Sequence, residues 1–400
     1  MSTAITRRDK IPELQLVRAF AIIGVLSVHS TSFATVEMMN YPHASFLYNF
    51  FNIFMKFGTP TFILLSSFVL FYNYYSRPLD RSLIGGFYKK RLLYIIIPYL
   101  LFSLVYFVNY RIHSSTALSA GETLRQLWQD VATGTANTHL YFVFISIQFY
   151  LLFPLFLWLL KRFPALAACA VPIGIAIQWA FVLVNKYGLA EPVPNKGSWS
   201  LSYFSYYFMG AALGIYFPRI KNWIVMSREH ATPVKIAAWT LLWAAWLAAG
   251  LSHVYIWHQT RTGAGSYNSL LYEGLWNLHT FLSALVLMQL AFVIYRYVSG
   301  PLASVLGHLG AMSFGIYLIH PLFLYYYRLF HPQAGSPYIH VWYLGGFAVA
   351  LIASWAVVTL TARYVPFNWI IFGSLPKRRT GADKPAHQAR KQQTPKQLEA

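Results

Sequence analysis

The sequence predicts an all-α protein, a polytopic bundle of about ten transmembrane helices with both termini on the cytoplasmic side. Three observations lead there. Of the 400 residues, 57% are hydrophobic and 18% aromatic but only 10% are charged, whereas a water-facing domain carries about a quarter charged residues. The missing charge leaves ten uncharged runs of 18 residues or more, close to the roughly 20 apolar residues that cross a bilayer core as a helix. The basic residues are also spread unevenly about those runs. An outer-membrane barrel is excluded, because its strands would read as segments of about ten residues with alternating polarity.

The runs follow one another with short interruptions. Residues 19–36 come after the basic opening MSTAITRRDK; no small-residue cleavage site follows His29, and the run is long enough to span, so it reads as a retained first helix and not as a secretory leader. Runs 57–76 and 92–110 are separated by Arg77, Arg81, Lys89, Lys90 and Arg91, and runs 131–160 and 163–185 by Lys161 and Arg162. Runs 197–217 and 236–260 enclose Arg219, Lys221, Arg228 and Lys235, runs 274–295 and 301–327 enclose Arg296, and run 335–362 is the tenth. With the N-terminus inside, 22 basic residues fall in cytoplasmic segments and 6 in outer loops. This is the positive-inside pattern. The net charge of +20 therefore reports topology and implies no nucleic-acid partner.

The longest polar connections, 111–137, 186–198 and 218–234, are too short for an extramembrane domain. The segment 1–10 reads as a basic cytoplasmic N-terminus. Residues 377–400, rich in Lys, Arg, Gln and Pro, read as a disordered basic cytoplasmic tail. Cys169 is the single cysteine, which excludes an internal disulfide framework and a cysteine-based metal site. It is expected to be a buried, inert thiol. The two halves show no repeat and no matching pair of broken helices, which weakens a secondary-transporter reading.

Ionisable groups in a bilayer are costly and are functional hypotheses by default. All eleven acidic residues fall in loops, tails or the outermost turn of a run. The intramembrane ionisable set is Arg18, Lys56, His29, His279 and His320, with His139 and His308 at run edges. Acid–base chemistry in the membrane thus falls to histidine, whose pKa suits it. Arg18 and His29 stand eleven residues apart on one helix, which brings them to one face with about 16 Å between them along the axis. They read either as an aligned phosphate-binding cation and imidazole, or as a snorkelling arginine and a histidine bonded to a neighbouring helix. In the ninth run, Ser313, Tyr317 and His320 form a polar stripe at i, i+4, i+7. Pro321 frees a carbonyl one turn back, for His320 or water to satisfy. The stripe serves a site or holds helices together.

At this point the residues resemble a known family. Arg18 through His29, within Val17-Arg18-Ala19-Phe20-Ala21-Ile22 and Val28-His29-Ser30, is similar to the Arg-x10-His signature of the acyltransferase 3 family of integral membrane acyltransferases. Gly58-Thr59-Pro60-Thr61-Phe62 continuing to Ser66-Ser67-Phe68 resembles the family's second helix, with Ser67 where glycine is usual. Phe87-Tyr88-Lys89-Lys90-Arg91 through Ile97-Pro98-Tyr99 resembles its basic third-helix entry, although Tyr94 stands where a second arginine is frequent. His139-Leu140-Tyr141-Phe142 with Gln148 through Pro154, and Ser313 through His320, are similar to later motifs in the same order. The likeness covers about residues 11–365 and lies nearest the branch that acylates surface polysaccharides and exopolysaccharides. The serine at 67 is expected to matter little if helices do not pack tightly there.

The resemblance implies a transmembrane acyltransferase domain over 11–376 in the inner or plasma membrane of a bacterial cell. It implies no permanently bound cofactor and no metal. Acetyl-CoA or another acyl-CoA is the donor, and a hydroxyl of a surface polysaccharide or its precursor is the acceptor. Arg18, Lys89, Lys90 and Arg91 would hold the donor's phosphates, the basic cluster otherwise serving only as a topology marker. His29 would act as general base or as an acyl-carrying nucleophile. Tyr317 and His320 would stabilise the oxyanion or orient the acceptor, with Ser313, His139 and Ser66 as acceptor-binding candidates. The bilayer and the carbohydrate are the expected partners, with a homo-oligomer or a polysaccharide-synthesis complex as further association. The rival reading is an exporter or flippase for a polysaccharide or lipid-linked sugar, for which the aromatic load offers sugar-stacking rings. Topology is testable first: reporter fusions after residue 230 should report cytoplasm and fusions within 112–136 the outer side, and a reversed pattern at both points would overturn the arrangement.

Overall fold

A bilayer core offers no water to satisfy backbone groups, so a chain this apolar must close its hydrogen bonds within helices. The computed structural model describes residues 9–115, 118–298, 300–333 and 335–376. Residues 1–8 and the tail 377–400, expected to be disordered, lie outside the described residues. All regular elements among the described residues are helical. In order they are α1 (Glu13–Thr31), α2 (Ala34–Glu37), α3 (Pro42–Phe54), α4 (Gly58–Tyr74), α5 (Arg81–Arg91), α6 (Ile97–His113), α7 (Ala120–Thr133) and α8 (Tyr141–Arg162). There follow α9 (Pro164–Ala168), α10 (Ala170–Leu183), α11 (Phe204–Ile224), α12 (Pro233–Arg261), α13 (Ser269–Tyr297), α14 (Gly300–Arg328), α15 (Ile339–Tyr364) and α16 (Trp369–Phe372). A wider π turn, Leu92–Ile96, joins α5 to α6.

Nine helical stretches among the described residues are long and apolar enough to cross a membrane, and the chain is a multi-pass membrane protein. The remaining expected run, 197–217, forms α11, a 21-residue helix whose serine, tyrosine, arginine and lysine content leaves it less apolar. It is nonetheless embedded in the bundle: Tyr206 and Tyr207 are among the largest fully buried side chains. On the outside, α12 presents Val234, Leu241 and Leu251, a face suited to acyl chains. Two further corrections concern the sequence expectations. Cys169 is exposed, not buried, because it sits at the break between α9 and α10 on the bundle's periphery. The connection 111–137 holds an amphipathic helix, α7, started by a reciprocal box in which Ser119 Oγ accepts from the Glu122 amide at 3.3 Å and Glu122 Oε2 accepts from the Ser119 amide at 2.9 Å. The Ser119 hydroxyl, which also donates to Glu122 Oε2 at 2.7 Å, and the Ser119 amide hold the Glu122 carboxyl below its usual pKa.

Helix α1 is the centre of the bundle, packed against α3, α4, α13, α14 and α15. Its grip on α14 is a backbone-on-backbone contact: a Cβ at Gly310 would run into the Gln15 carbonyl oxygen. On the other side α4 begins at Gly58, where a Cβ would lie 2.8 Å from the Ala21 carbonyl oxygen. Helices α4 and α11 cross through Gly210-x-x-x-Gly214, the small-residue spacing that lets membrane helices touch; a Cβ at Gly214 would sit 2.5 Å from the Phe68 carbonyl oxygen. Ser67 stands in that crossing, fully buried, with its hydroxyl donating to the Tyr207 carbonyl at 2.5 Å. The position is thus tightly packed, and serine fits it by satisfying a helix carbonyl.

Overpacking a closed contact typically costs about 1–3 kcal/mol. Gly310→Val should therefore lower the melting temperature of the detergent-solubilised protein, whereas Gly85→Val, where a Cβ meets nothing within 4 Å, should be much milder. Equal melting of the two variants would show that the α1–α14 contact is not closed.

Candidate active site

Three helices bring three histidines together. His29 lies in the last turn of α1, His320 in the second half of α14, and His139 just before α8. The His29 and His320 rings meet edge-on with centroids 5.2 Å apart, and His139 and His320 with centroids 5.5 Å apart. His139 and His320 are fully buried. Their hydrogen bonds fix their tautomers. Pro321 has no N–H, so the Tyr317 carbonyl one turn back is free of its helical donor. His320 Nδ1 donates to that carbonyl at 2.9 Å and to the Ile316 carbonyl at 3.1 Å. His139 Nδ1 donates to Asn137 Oδ1 at 2.9 Å. Each Nε2 is left buried without a hydrogen-bond partner, with its lone pair available.

His29 differs from the other two because it borders space. A cavity of about 250 Å³ is lined by His29, Lys56, Thr59, Tyr141, Trp276 and Tyr317, among others. No group among the described residues hydrogen bonds either ring nitrogen of His29. Arg328 instead grips its backbone, donating from Nη2 to the His29 carbonyl at 2.6 Å and to Ser32 Oγ at 3.3 Å. Thr59 and Tyr141 share a hydroxyl–hydroxyl bond of 3.0 Å across the wall. The Tyr317 hydroxyl donates to the His139 carbonyl, so in this arrangement it braces the His139 segment against α14. No three His, Cys, Asp or Glu side chains among the described residues are disposed to hold a metal ion.

The second cluster lies toward the start of α1. Arg18 donates from Nη1 to Gln15 Oε1 at 3.3 Å and is within electrostatic reach of Arg91 and Tyr150. The Arg91 guanidinium rests 4.7 Å from the Tyr150 ring centroid and 5.3 Å from that of Phe87, with Nε buried and unpartnered. Tyr150 in turn bonds Ser66 Oγ at 3.3 Å. The structure therefore joins Arg18, Arg91 and Ser66 into one group. Ser66 belongs to this arginine end, about 10 Å along α4 from Thr59, and not to the histidines. Lys89 and Lys90 are exposed at the end of α5, apart from this pair. Ser313 is buried one turn before Tyr317.

Sequence reading named His29, His139, Tyr317 and His320 and missed Trp276, Tyr141 and the backbone clamp from Arg328. Tyr141 was within reach as a neighbour of His139. Trp276 carried no signal, being one aromatic residue among many.

The Acyl_transf_3 family, an acyltransferase domain, matches residues 11–359. The chain is also 22% identical over 322 residues to probable poly-beta-1,6-N-acetyl-D-glucosamine export proteins of Staphylococcus aureus strains MSSA476, MW2 and N315, a stretch covering 78% of this chain and 82% of each relative. No solved structure matches.

Removing a donor from a buried carbonyl costs about 1–3 kcal/mol. Tyr317→Phe should therefore destabilise the solubilised protein by about that amount, read by thermal or denaturant melting. An unchanged melting curve would mean that the Tyr317 hydroxyl does not brace the His139 segment.

Proposed function

The chain belongs to the Acyl_transf_3 family of acyltransferase domains, and from that premise we propose that it moves an acyl group, commonly acetyl, from cytoplasmic acyl-coenzyme A to a hydroxyl of a cell-surface or exopolysaccharide sugar. The observation that carries the proposal is His29 opening onto a cavity while sharing helix α1 with Arg18. An aqueous phosphate-bearing donor needs cations at one end and a reacting centre at the other, and α1 offers both on one face.

In this reading Arg18 and Arg91 hold the donor's phosphates by charge-assisted hydrogen bonds; the exposed Lys89 and Lys90 add local positive potential. The thioester lies at the cavity beside His29. The imidazole takes the proton from the acceptor hydroxyl as its oxygen attacks the thioester carbonyl. The new C–O bond forms, the C–S bond breaks, and the proton passes to the departing sulfur to give free coenzyme A. His320 and His139 orient His29 from behind, their own Nδ1 hydrogens being committed to oxygen acceptors. Trp276, in the cavity wall, gives a sugar ring an apolar face.

The relatives' name favours a second reading, export of a polysaccharide. Mass spectrometry of the host's surface glycans with and without the gene separates the two: an intact polymer lacking an acyl group supports transfer, and a missing polymer supports export. In the purified protein, His29→Ala should lower transfer by about 100- to 10,000-fold while acyl-coenzyme A binding persists. His320→Ala should be impaired and His279→Ala should keep most activity. If His29→Ala retained more than about a tenth of wild-type turnover, well outside that range, the base would not be His29.

A further inference from the structure

The outer end of the cavity holds more positive charge than its surroundings balance. Lys56 lies at the break between α3 and α4 and lines the cavity together with His29. Its ammonium rests 5.0 Å from the Trp257 ring centroid, and no other partner for it is present among the described residues. Arg261, at the end of α12, approaches the same indole with its guanidinium carbon 5.5 Å from the centroid.

The two cations are not equally served. Arg261 donates to Asn49 Oδ1 at 3.0 Å and to Asn52 Oδ1 at 2.9 Å and sits in the last turn of a 29-residue helix, where the helix dipole favours positive charge. Lys56 has the indole alone. An indole face offsets only part of the cost of drawing an ammonium away from water. The nearest helices bring no carboxylate to it. Glu273, one turn before Trp276, is held by Lys196 at 2.6 Å. Glu37 is held by His331 at 3.0 Å and by the Tyr343 hydroxyl. The remaining titratable neighbours, His253 and His279, are buried and bring no negative charge. The described residues supply no counter-charge to Lys56, and the cavity it lines gives one room to enter with a ligand.

We propose that Lys56, backed by Arg261, is the binding site for a carboxylate carried by one of the two reactants in the cavity. This rests on the acyl-transfer reading, and the chemistry has two sources. One is the far end of a dicarboxylic acyl group, such as succinyl, entering with its thioester at His29. The other is a uronate of the acceptor chain. In either case Lys56 is a specificity residue: it selects an acidic reactant and does not itself exchange protons with it.

The full-length protein in detergent tests this with two matched pairs, succinyl-coenzyme A against acetyl-coenzyme A and a glucuronate-containing oligosaccharide against its neutral glucose counterpart, each measured by direct binding. The expected result is a preference of about tenfold or more for the acidic member of one pair, the scale of a hydrogen bond between charged groups. Lys56→Met should remove the preference, Lys56→Gln should repeat the effect should the methionine variant melt early, and Lys56→Arg should keep part of it. Preference in the donor pair assigns the carboxylate to the acyl group, and preference in the acceptor pair assigns it to the sugar. Absence of preference in both pairs would overturn the proposal. So would an equal loss for acidic and neutral members in Lys56→Met, which is the signature of a brace against Trp257. A wild-type protein that bound no coenzyme A thioester at all would instead remove the acyl-transfer reading, with the acceptor pair still deciding the role of Lys56.

Discussion

The arrangement depends on how closely α1 is held. A glycine at 310 lets the backbone of α14 touch the backbone of α1 at Gln15, and a glycine at 58 lets the start of α4 reach Ala21. With no hydrophobic driving force between helices inside lipid, such contacts and interhelical hydrogen bonds must supply the association. Closing them places the polar face of α1 between its neighbours. Arg18 then comes within electrostatic reach of Arg91 and Tyr150, and His29 meets His320 across a ring contact. Were α1 to turn by one residue, about 100°, both groups would leave their clusters together.

Within that frame, hydrogen bonding divides the labour among three otherwise similar imidazoles. A buried ring can keep one nitrogen lone pair free only if its other nitrogen has somewhere to put its hydrogen. A proline-freed carbonyl does this for His320, and an asparagine side chain does it for His139. His29 has no such tether among the described residues and borders open space, which is why the proposed function gives the proton transfer to its ring. The arginines are separated from the histidines by the length of α1, so in the proposed reaction phosphate binding and proton transfer would lie in different electrostatic surroundings.

The fold class was legible because a bilayer leaves a coarse trace: long uncharged runs and a one-sided distribution of lysine and arginine. The histidines were legible because ionisable residues are rare in such runs, and the role of Pro321 followed from its missing N–H. What could not be read was lateral. Nothing in the spacing said that α11, the least apolar of the ten runs, would lie deep in the bundle against α4, although Gly210-x-x-x-Gly214 carried that information in a form easily overlooked. Ser66 is an acceptor-binding candidate by resemblance alone, but the helix carries it about 10 Å beyond Thr59, to the arginine end. Helix α7 was taken for a loop because its apolar residues are few, despite a serine and a glutamate at the spacing that starts a helix. The exposure of Cys169 depends on where α9 breaks, and single-chain patterning does not specify that.

One contact has a bearing on how the molecule comes into being. Arg328 clamps the His29 carbonyl across a sequence separation of 299 residues. The helix bearing His29 is synthesised first, and its clamp, like His320, is made only near the end. During most of synthesis α1 must wait in the bilayer with an arginine and a histidine uncovered, held by topology and not by its final partners. Contacts this distant in sequence close late in folding. The surroundings of His29 are thus completed last, and a truncated or stalled chain presents α1 without the α14 side of that cluster.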